Sequence, residues 1–291
     1  MAEPLPIAYL NGSYVPLREA RVSPLDRAFL YADSVYEVMP VYAGRVFRFR
    51  EHFERLDRSL GELRMRPVYA REQWARVCDG LIERNGRGDM YIYVQVSRGA
   101  EYGRNHAPLP DVERTVFAFA SALPPVTRER LERGVAAVTA EDTRWSRCDI
   151  KSTALLANVL LKQLAVDANA TETILLRGGM LTEGASTTVH VVVAGEIRTP
   201  PKSHSILSGT TRDVVSELAA REGLPFRSTA VSAEELRRAD EIFIAAATIG
   251  TLPVTRLDDR PVGAGVPGPV WKRIYAAYEA YKRELAATPA Y

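Results

Sequence analysis

The chain has 291 residues, 46% of them apolar and 25% charged, with a formal net charge of +2. That composition describes a soluble globular protein with room for two domains of ordinary size, and so small a positive excess, without dense Lys/Arg runs, argues against nucleic acid or an anionic membrane as partner. Cys78 and Cys148 stand alone, without a CxxC or Cys/His cluster; the start lacks a basic-then-apolar signal and no run approaches the roughly 18 apolar residues of a membrane helix, so the expected compartment is the cytoplasm.

In chain order, Ile7–Leu10 and Tyr14–Pro16 flank Asn11-Gly12, a hairpin turn signal. Val35–Val41 alternates, with Tyr36, Val38 and Pro40 on one side and Val35, Glu37, Met39 and Val41 on the other. A second turn at Ala43-Gly44 leads into Arg45–Phe49. The period then changes: Phe53, Leu56, Leu60 and Leu63 mark one helical face, and Trp74, Val77, Cys78, Leu81 and Ile82 the next. Tyr91–Ser97 and Thr115–Ser121 return to strand character, separated by an irregular loop, Gly99–Pro110, that is long for a plain connection. Leu123-Pro124-Pro125-Val126 reads as a linker. Beyond it come a strand at Leu131–Thr139, a helix over roughly Thr153–Ala168, short strands at Glu172–Arg177, Thr188–Val193 and Glu196–Thr199, a helix over Thr210–Arg221, a buried strand at Glu241–Ala247, and a closing helix marked by Val270, Ile274, Tyr278 and Tyr281. Strands interleaved with helices in both halves predict two α/β or α+β units. The expected division is residues 1–122 as a small N-terminal domain, 123–127 as linker, and 128–291 as a larger C-terminal domain.

The chemistry centres on Arg144-Trp145-Ser146-Arg147-Cys148-Asp149-Ile150-Lys151-Ser152. Lys151 lies between a strand-like run and an Ala/Leu-rich helical run, where backbone on both sides can aim its amine. A neutral lysine amine attacks carbonyls to form a Schiff base. A surface lysine at a helix start is the commoner fate of such a residue; the acid, hydroxyl-rich helix start and Arg/His pair elsewhere in the chain argue for the reactive one.

Arg-Cys-Asp-Ile-Lys-Ser, then Leu181-Thr182-Glu183-Gly184, then Gly209-Thr210-Thr211-Arg212-Asp213 resembles the fold-type IV pyridoxal-phosphate enzymes, with the motifs in the same order from about Tyr9 to Leu257. Within them the chain is most similar to the D-amino acid transaminases. The resemblance implies the two-domain fold of that family, pyridoxal 5'-phosphate held by Lys151, and Glu183 at the pyridine nitrogen. A protonated ring nitrogen makes the cofactor an electron sink. It places Arg55, in His52-Phe53-Glu54-Arg55, with Thr210 and Thr211 on the phosphate; an arginine fork and a helix start both suit that ligand. His52 is expected to be structural. Ala245-Ala246-Ala247-Thr248 corresponds to a hydroxyl-rich stretch that also touches the phosphate, and of it only Thr248 keeps a hydroxyl.

Arg104-Asn105-His106 resembles the Arg-x-His pair that, with a tyrosine matched here by Tyr36, holds the substrate carboxylate across a dimer interface; Arg, His and Tyr supply charge-assisted donors for that group. One extra residue separates Arg98 from Arg104 relative to the family pattern. The resemblance thus implies a homodimer acting on a small amino acid (D-alanine, D-glutamate) and a 2-oxo acid. Three rivals of the same fold use Lys151 and Glu183 alike: a branched-chain L-amino acid transaminase, an (R)-amine transaminase and aminodeoxychorismate lyase. A metabolite-binding protein or a cofactor-free aldolase would be the alternatives from other classes. None of the four histidines has metal-ligand spacing, so no metal is expected.

Overall fold

The structure, a computed structural model, describes residues 3–287. Contacts divide the described residues into two compact units, one comprising residues 3–124, Ile150–Ala154 and residues 284–287, and the other Pro125–Asp149 with Leu155–Arg283. The expected division puts the lysine stretch in the C-terminal domain; instead Ile150–Ala154 groups with the first unit, because its backbone is stitched to a strand there.

In the first unit the chain forms β1 (Pro4–Leu10), β2 (Ser13–Pro16), α1 (Arg27–Tyr31), β3 (Ser34–Tyr42), β4 (Arg45–Val46), α2 (Phe49–Glu62), α3 (Arg71–Arg84), β5 (Met90–Ser97) and β6 (Thr115–Ala122). The strands make one antiparallel sheet in the order β2-β1-β6-β5-β3-β4. Asn11 and Gly12, with φ of 45° and 95°, close the first hairpin, the conformation a two-residue turn of matching twist requires. One sheet face carries Met39, Val41, Ile92, Val94, Val96, Val116 and Ala118 against Phe53, Leu56 and Leu60 of α2 and Trp74, Val77 and Leu81 of α3. Phe53 stacks on Trp74 at 4.9 Å between ring centroids. The other face bears a half-buried ladder, Tyr36 on Tyr93, Tyr93 on Phe119, Phe119 on Phe117, with centroids 5.3–5.6 Å apart.

The second unit runs α4 (Arg128–Arg133), β7 (Val135–Glu141), α5 (Leu156–Asp167), β8 (Glu172–Arg177), β9 (Met180–Gly184), β10 (Thr188–Val193), β11 (Glu196–Thr199), α6 (Thr210–Arg221), β12 (Phe226–Ser228), α7 (Ala233–Arg237), β13 (Glu241–Ala246), β14 (Gly250–Leu257), β15 (Arg260–Pro261) and α8 (Pro269–Ala287) up to Arg283. Its sheet is mixed, ordered β12-β11-β10-β13-β14-β7-β8-β9, with β15 on β14. Strands β14, β7 and β8 run parallel, and Ile174, Val189, Val191, Ile242, Ile244, Leu252 and Val254 form the core.

Some expected elements differ. The run Leu131–Thr139 splits, since Thr127 caps α4 by accepting from Arg130 N–H and Gly134 at φ 74° turns the chain before β7 begins. The helix expected from Thr153 starts at Leu156, because Thr153 hydrogen-bonds Ser34 and Ala32 instead. Arg45–Phe49 shortens likewise to the two residues of β4, with Phe49 opening α2.

Removing the Phe53 ring should cost about 3–5 kcal/mol, as for other fully buried aromatics. Chemical denaturation of Phe53→Ala checks this; a loss below about 1 kcal/mol would mean that the α2–sheet core does not carry the first unit.

Candidate active site

Lys151 is held on both sides by backbone. Its carbonyl accepts the Tyr36 N–H at 2.9 Å, its own N–H donates to Ser59 Oγ at 3.3 Å, and Thr153 N–H donates to the Ser34 carbonyl at 3.0 Å. Ser152 bridges Val35, the Ser34 and Thr153 hydroxyls bond each other, and Ile150 is buried in the first core. The segment is thus tied to β3 by a single bridge, and Ser152 N–H donates to the Ile150 carbonyl at 2.9 Å to close a tight turn centred on Lys151. Lys151 Nζ lies 4.2 Å from the centroid of the Tyr36 ring, so the amine and the tyrosine expected to meet substrate are neighbours.

On the opposite face of β3, Glu37 is fully buried. Arg55 grips it with a bidentate fork, Nε to Oε1 and Nη2 to Oε2, both at 2.7 Å, and His52 Nδ1 faces Oε2 at 2.7 Å. A carboxylate is acceptor-only, so Nδ1 carries the proton. Burial alone would raise the Glu37 pKa, yet Arg55 and His52 hold it down at about 2. Burial lowers the His52 pKa in spite of the pull of Glu37. His52 and Arg55, three apart, share a helix face, and both reach this acid.

In the second unit Glu183 sits near the end of β9, buried, accepting from Arg144 Nη1 and from Leu207 N–H at 3.1–3.2 Å. Arg144 is not Glu183's alone: its Nε and Nη2 each reach Asp142 at 2.9 Å, and Thr182 Oγ1 donates to the same acid at 2.9 Å. Burial pushes Glu183 up to about 7, with the Arg144 guanidinium and the Leu207 amide pulling the other way. A second cation beside it would complete its ionisation.

Thr210 and Thr211 open α6, buried, behind the N-cap Gly209, which offers no side-chain acceptor to the first-turn amides. A Cβ on Gly209 would lie 2.8 Å from Thr188 Oγ1, so glycine lets the helix start press against β10. Thr188 pairs with Ala245 of β13, and the turn after β13 holds Thr248. The helix start with Thr210 and Thr211 therefore gathers with Thr188 and Thr248 at one end of this sheet, and Glu183 lies five residues before Thr188.

Arg104 and His106 lie in the exposed loop after Gly99, both against Tyr31: the Arg104 guanidinium is 5.0 Å and the His106 ring 5.5 Å from its centroid. Tyr36 is elsewhere in the same unit, on the aromatic face of the sheet.

The family model for class IV amino-transferases matches residues 34–257. The chain belongs to that family. Among curated relatives, a D-alanine aminotransferase of Staphylococcus haemolyticus is 38% identical over 94% of this chain and 96% of that protein, and one of Bacillus licheniformis is 37% identical over 92% and 94%. Among solved structures, the branched-chain amino acid aminotransferase of Escherichia coli superposes with a TM-score of 0.88 at 28% identity, covering 96% of this chain and 94% of that one. A second branched-chain amino acid aminotransferase, from T.th. and solved with pyridoxamine 5'-phosphate, scores 0.88 at 28%, covering 97% and 94%. The fold is that of the fold-type IV aminotransferases, mixed α/β, as the motif order implied.

Class IV aminotransferases use pyridoxal 5'-phosphate, and each unit taken by itself carries donor types suited to that group: a lysine beside a tyrosine in the first, and a buried carboxylate and a threonine-bearing helix start in the second. Several participants lie outside the motifs that sequence reasoning singles out. Glu37 has a visible signal, an acid on the apolar side of an alternating strand. Arg144 opens the lysine stretch, but its meeting with Glu183, and that of Asp142 with Thr182, depends on the pairing of distant strands and carries no local signal. Thr188 looks like an ordinary strand residue. Arg98, for which the sequence offers no role, pairs with Asp33 at 2.7 Å.

Glu37 generates a pH prediction. Its folded pKa of about 2 is depressed from 4.5, so its contribution is complete above pH 4.5 and is lost as pH falls toward 2. The span corresponds to roughly 3 kcal/mol. Denaturation midpoints of the wild type should fall more steeply than those of Glu37→Gln across that window; parallel curves would contradict the buried clamp.

Proposed function

We propose that this aminotransferase is a D-amino acid transaminase, moving the amino group of D-alanine or D-glutamate to a 2-oxo acid with pyridoxal 5'-phosphate as cofactor. The observation that carries this reading is the pairing of Arg104 and His106 on the Tyr31 ring, two cationic or hydrogen-bond-donating heads side by side, suited to a carboxylate. Curated relatives named D-alanine aminotransferase, matched along nearly their whole length, support it. The branched-chain names of similar solved structures go with the shared fold, which does not determine substrate.

The cofactor, when bound, supplies an electron sink for the charge left on the substrate Cα after proton removal. Lys151 would anchor it, and its Nζ would be the base that takes the proton from the substrate Cα. Glu183 would ion-pair with the protonated ring nitrogen, a second cation that would favour its ionised form. Arg55, Thr210, Thr211 and Thr248 hold the phosphate, Arg55 being itself held by Glu37. Tyr36, Arg104 and His106 orient the substrate carboxylate.

A homodimer belongs to this reading, with the Arg104/His106 loop serving the neighbouring copy. Support comes from α5, whose Leu156, Val159, Leu160 and Leu164 form a stripe at helical spacing that is 45–74% exposed in the single chain. An apolar stripe of that kind is a protein-contact surface. Cytoplasmic location rests on the unpaired, buried Cys78 and Cys148. Among the described residues no helix is long and apolar enough to cross a membrane.

Steady-state kinetics of Arg104→Ala test the assignment. KM for D-alanine should rise by at least about tenfold, the loss of one charge-assisted contact, with cofactor affinity unchanged. Unchanged D-alanine kinetics would remove the loop from substrate recognition.

A further inference from the structure

We infer that Arg27 and Tyr31, both on α1, are positioning residues for the carboxylate-binding loop; the inference rests on the proposed role of Arg104 and His106. Arg27 is 4% exposed, and its guanidinium spends its donors on that loop and its base. Nη1 donates to the Asn105 carbonyl at 2.7 Å and Nη2 to the His106 carbonyl at 3.0 Å, so the backbone between the two substrate-facing residues is fixed from beneath. Nε reaches Asp33 at 2.8 Å and Nη1 also reaches Glu101 at 3.2 Å. Glu101 in turn accepts from Leu109 N–H at 2.8 Å, Arg27 N–H donates to the Gly99 carbonyl at 2.9 Å, and Asp26 bridges Ala100. A loop without secondary structure is thereby held at its start, middle and end by one helix turn.

Tyr31 provides the shelf. Its ring lies 4.6 Å from the Arg27 guanidinium, 5.0 Å from that of Arg104 and 5.5 Å from the His106 ring. Its hydroxyl is buried without a hydrogen-bond partner among the described residues, so the ring face and not the OH does the holding. Cation–π contact keeps the Arg104 head beside His106 at little entropic cost once the backbone is pinned. Neither residue touches the cofactor lysine or the Glu37 clamp in the contacts above, so their loss should weaken substrate capture and leave cofactor binding intact.

The test compares Tyr31→Leu, Tyr31→Phe and Arg27→Lys in cofactor-loaded enzyme, with Arg104→Ala as reference. Tyr31→Leu and Arg27→Lys should raise KM for D-alanine on the order of tenfold with kcat within about twofold, and Tyr31→Phe should match the wild type. Cofactor affinity, measured by titration, should not move in any Tyr31 variant. An unchanged KM in Tyr31→Leu alongside a raised KM in Arg104→Ala would overturn the positioning role and leave the carboxylate assignment standing. An unchanged KM in both would overturn the two together. A parallel loss of cofactor affinity and Tm in Tyr31→Leu would make the ring a packing element of the fold and overturn the inference.

Discussion

A single backbone hydrogen bond, from Tyr36 N–H to the Lys151 carbonyl, sets the chemistry of the first unit. It ties a segment that is remote in sequence to β3 and sets the lysine beside Tyr36, whose ring centroid is 4.2 Å from the amine. Because side chains alternate along a strand, β3 then does two jobs at once. Tyr36 faces the lysine amine, and Glu37, one residue on, faces the helix that brings Arg55 and His52. A one-residue slip of β3 would send the acid to the aromatic face and the tyrosine into the core. Eight paired positions between β3 and β5 oppose such a slip.

Two buried acids, one in each unit, show how the environment divides their roles. Glu37 receives the fork of an arginine at both oxygens and a histidine besides, and is driven low; Glu183 shares its arginine with Asp142, which takes two of that guanidinium's bonds. Burial dominates where the countercharge is divided, so Glu183 rises to about 7. The first arrangement is a permanent ion pair that fixes Arg55. The second leaves a carboxyl that gains from another cation, which is the property a partner for a pyridine nitrogen needs.

Much of this is legible in the sequence where the signal is local. The Asn11-Gly12 turn, the period change at Glu51, the long loop after Gly99 and the motifs around Lys151, Glu183 and Thr210 all lie within a few residues of what they specify. What is not legible depends on pairing across the chain: Arg144 meets Glu183 over 39 positions, and Arg27 meets Glu101 over 74. The helix expected from Thr153 is the instructive difference. Ala and Leu favour helix there, but Thr153 finds its partners at Ala32 and Ser34, so tertiary contact delays the helix by three residues and keeps Lys151 outside it. The short α1 gives no periodic signal in five residues, though its Arg27 and Tyr31 hold the loop proposed to set substrate choice.

Family membership establishes the aminotransferase fold, while preference for the D series rests on a few loop residues. The most direct measurement is a half-reaction on enzyme loaded with pyridoxal phosphate, adding D-alanine or L-leucine separately and following the absorbance as the cofactor becomes aminated. Conversion by D-alanine and not by L-leucine is the predicted result. Conversion by L-leucine with none by D-alanine would contradict the account and move the chain to the branched-chain group.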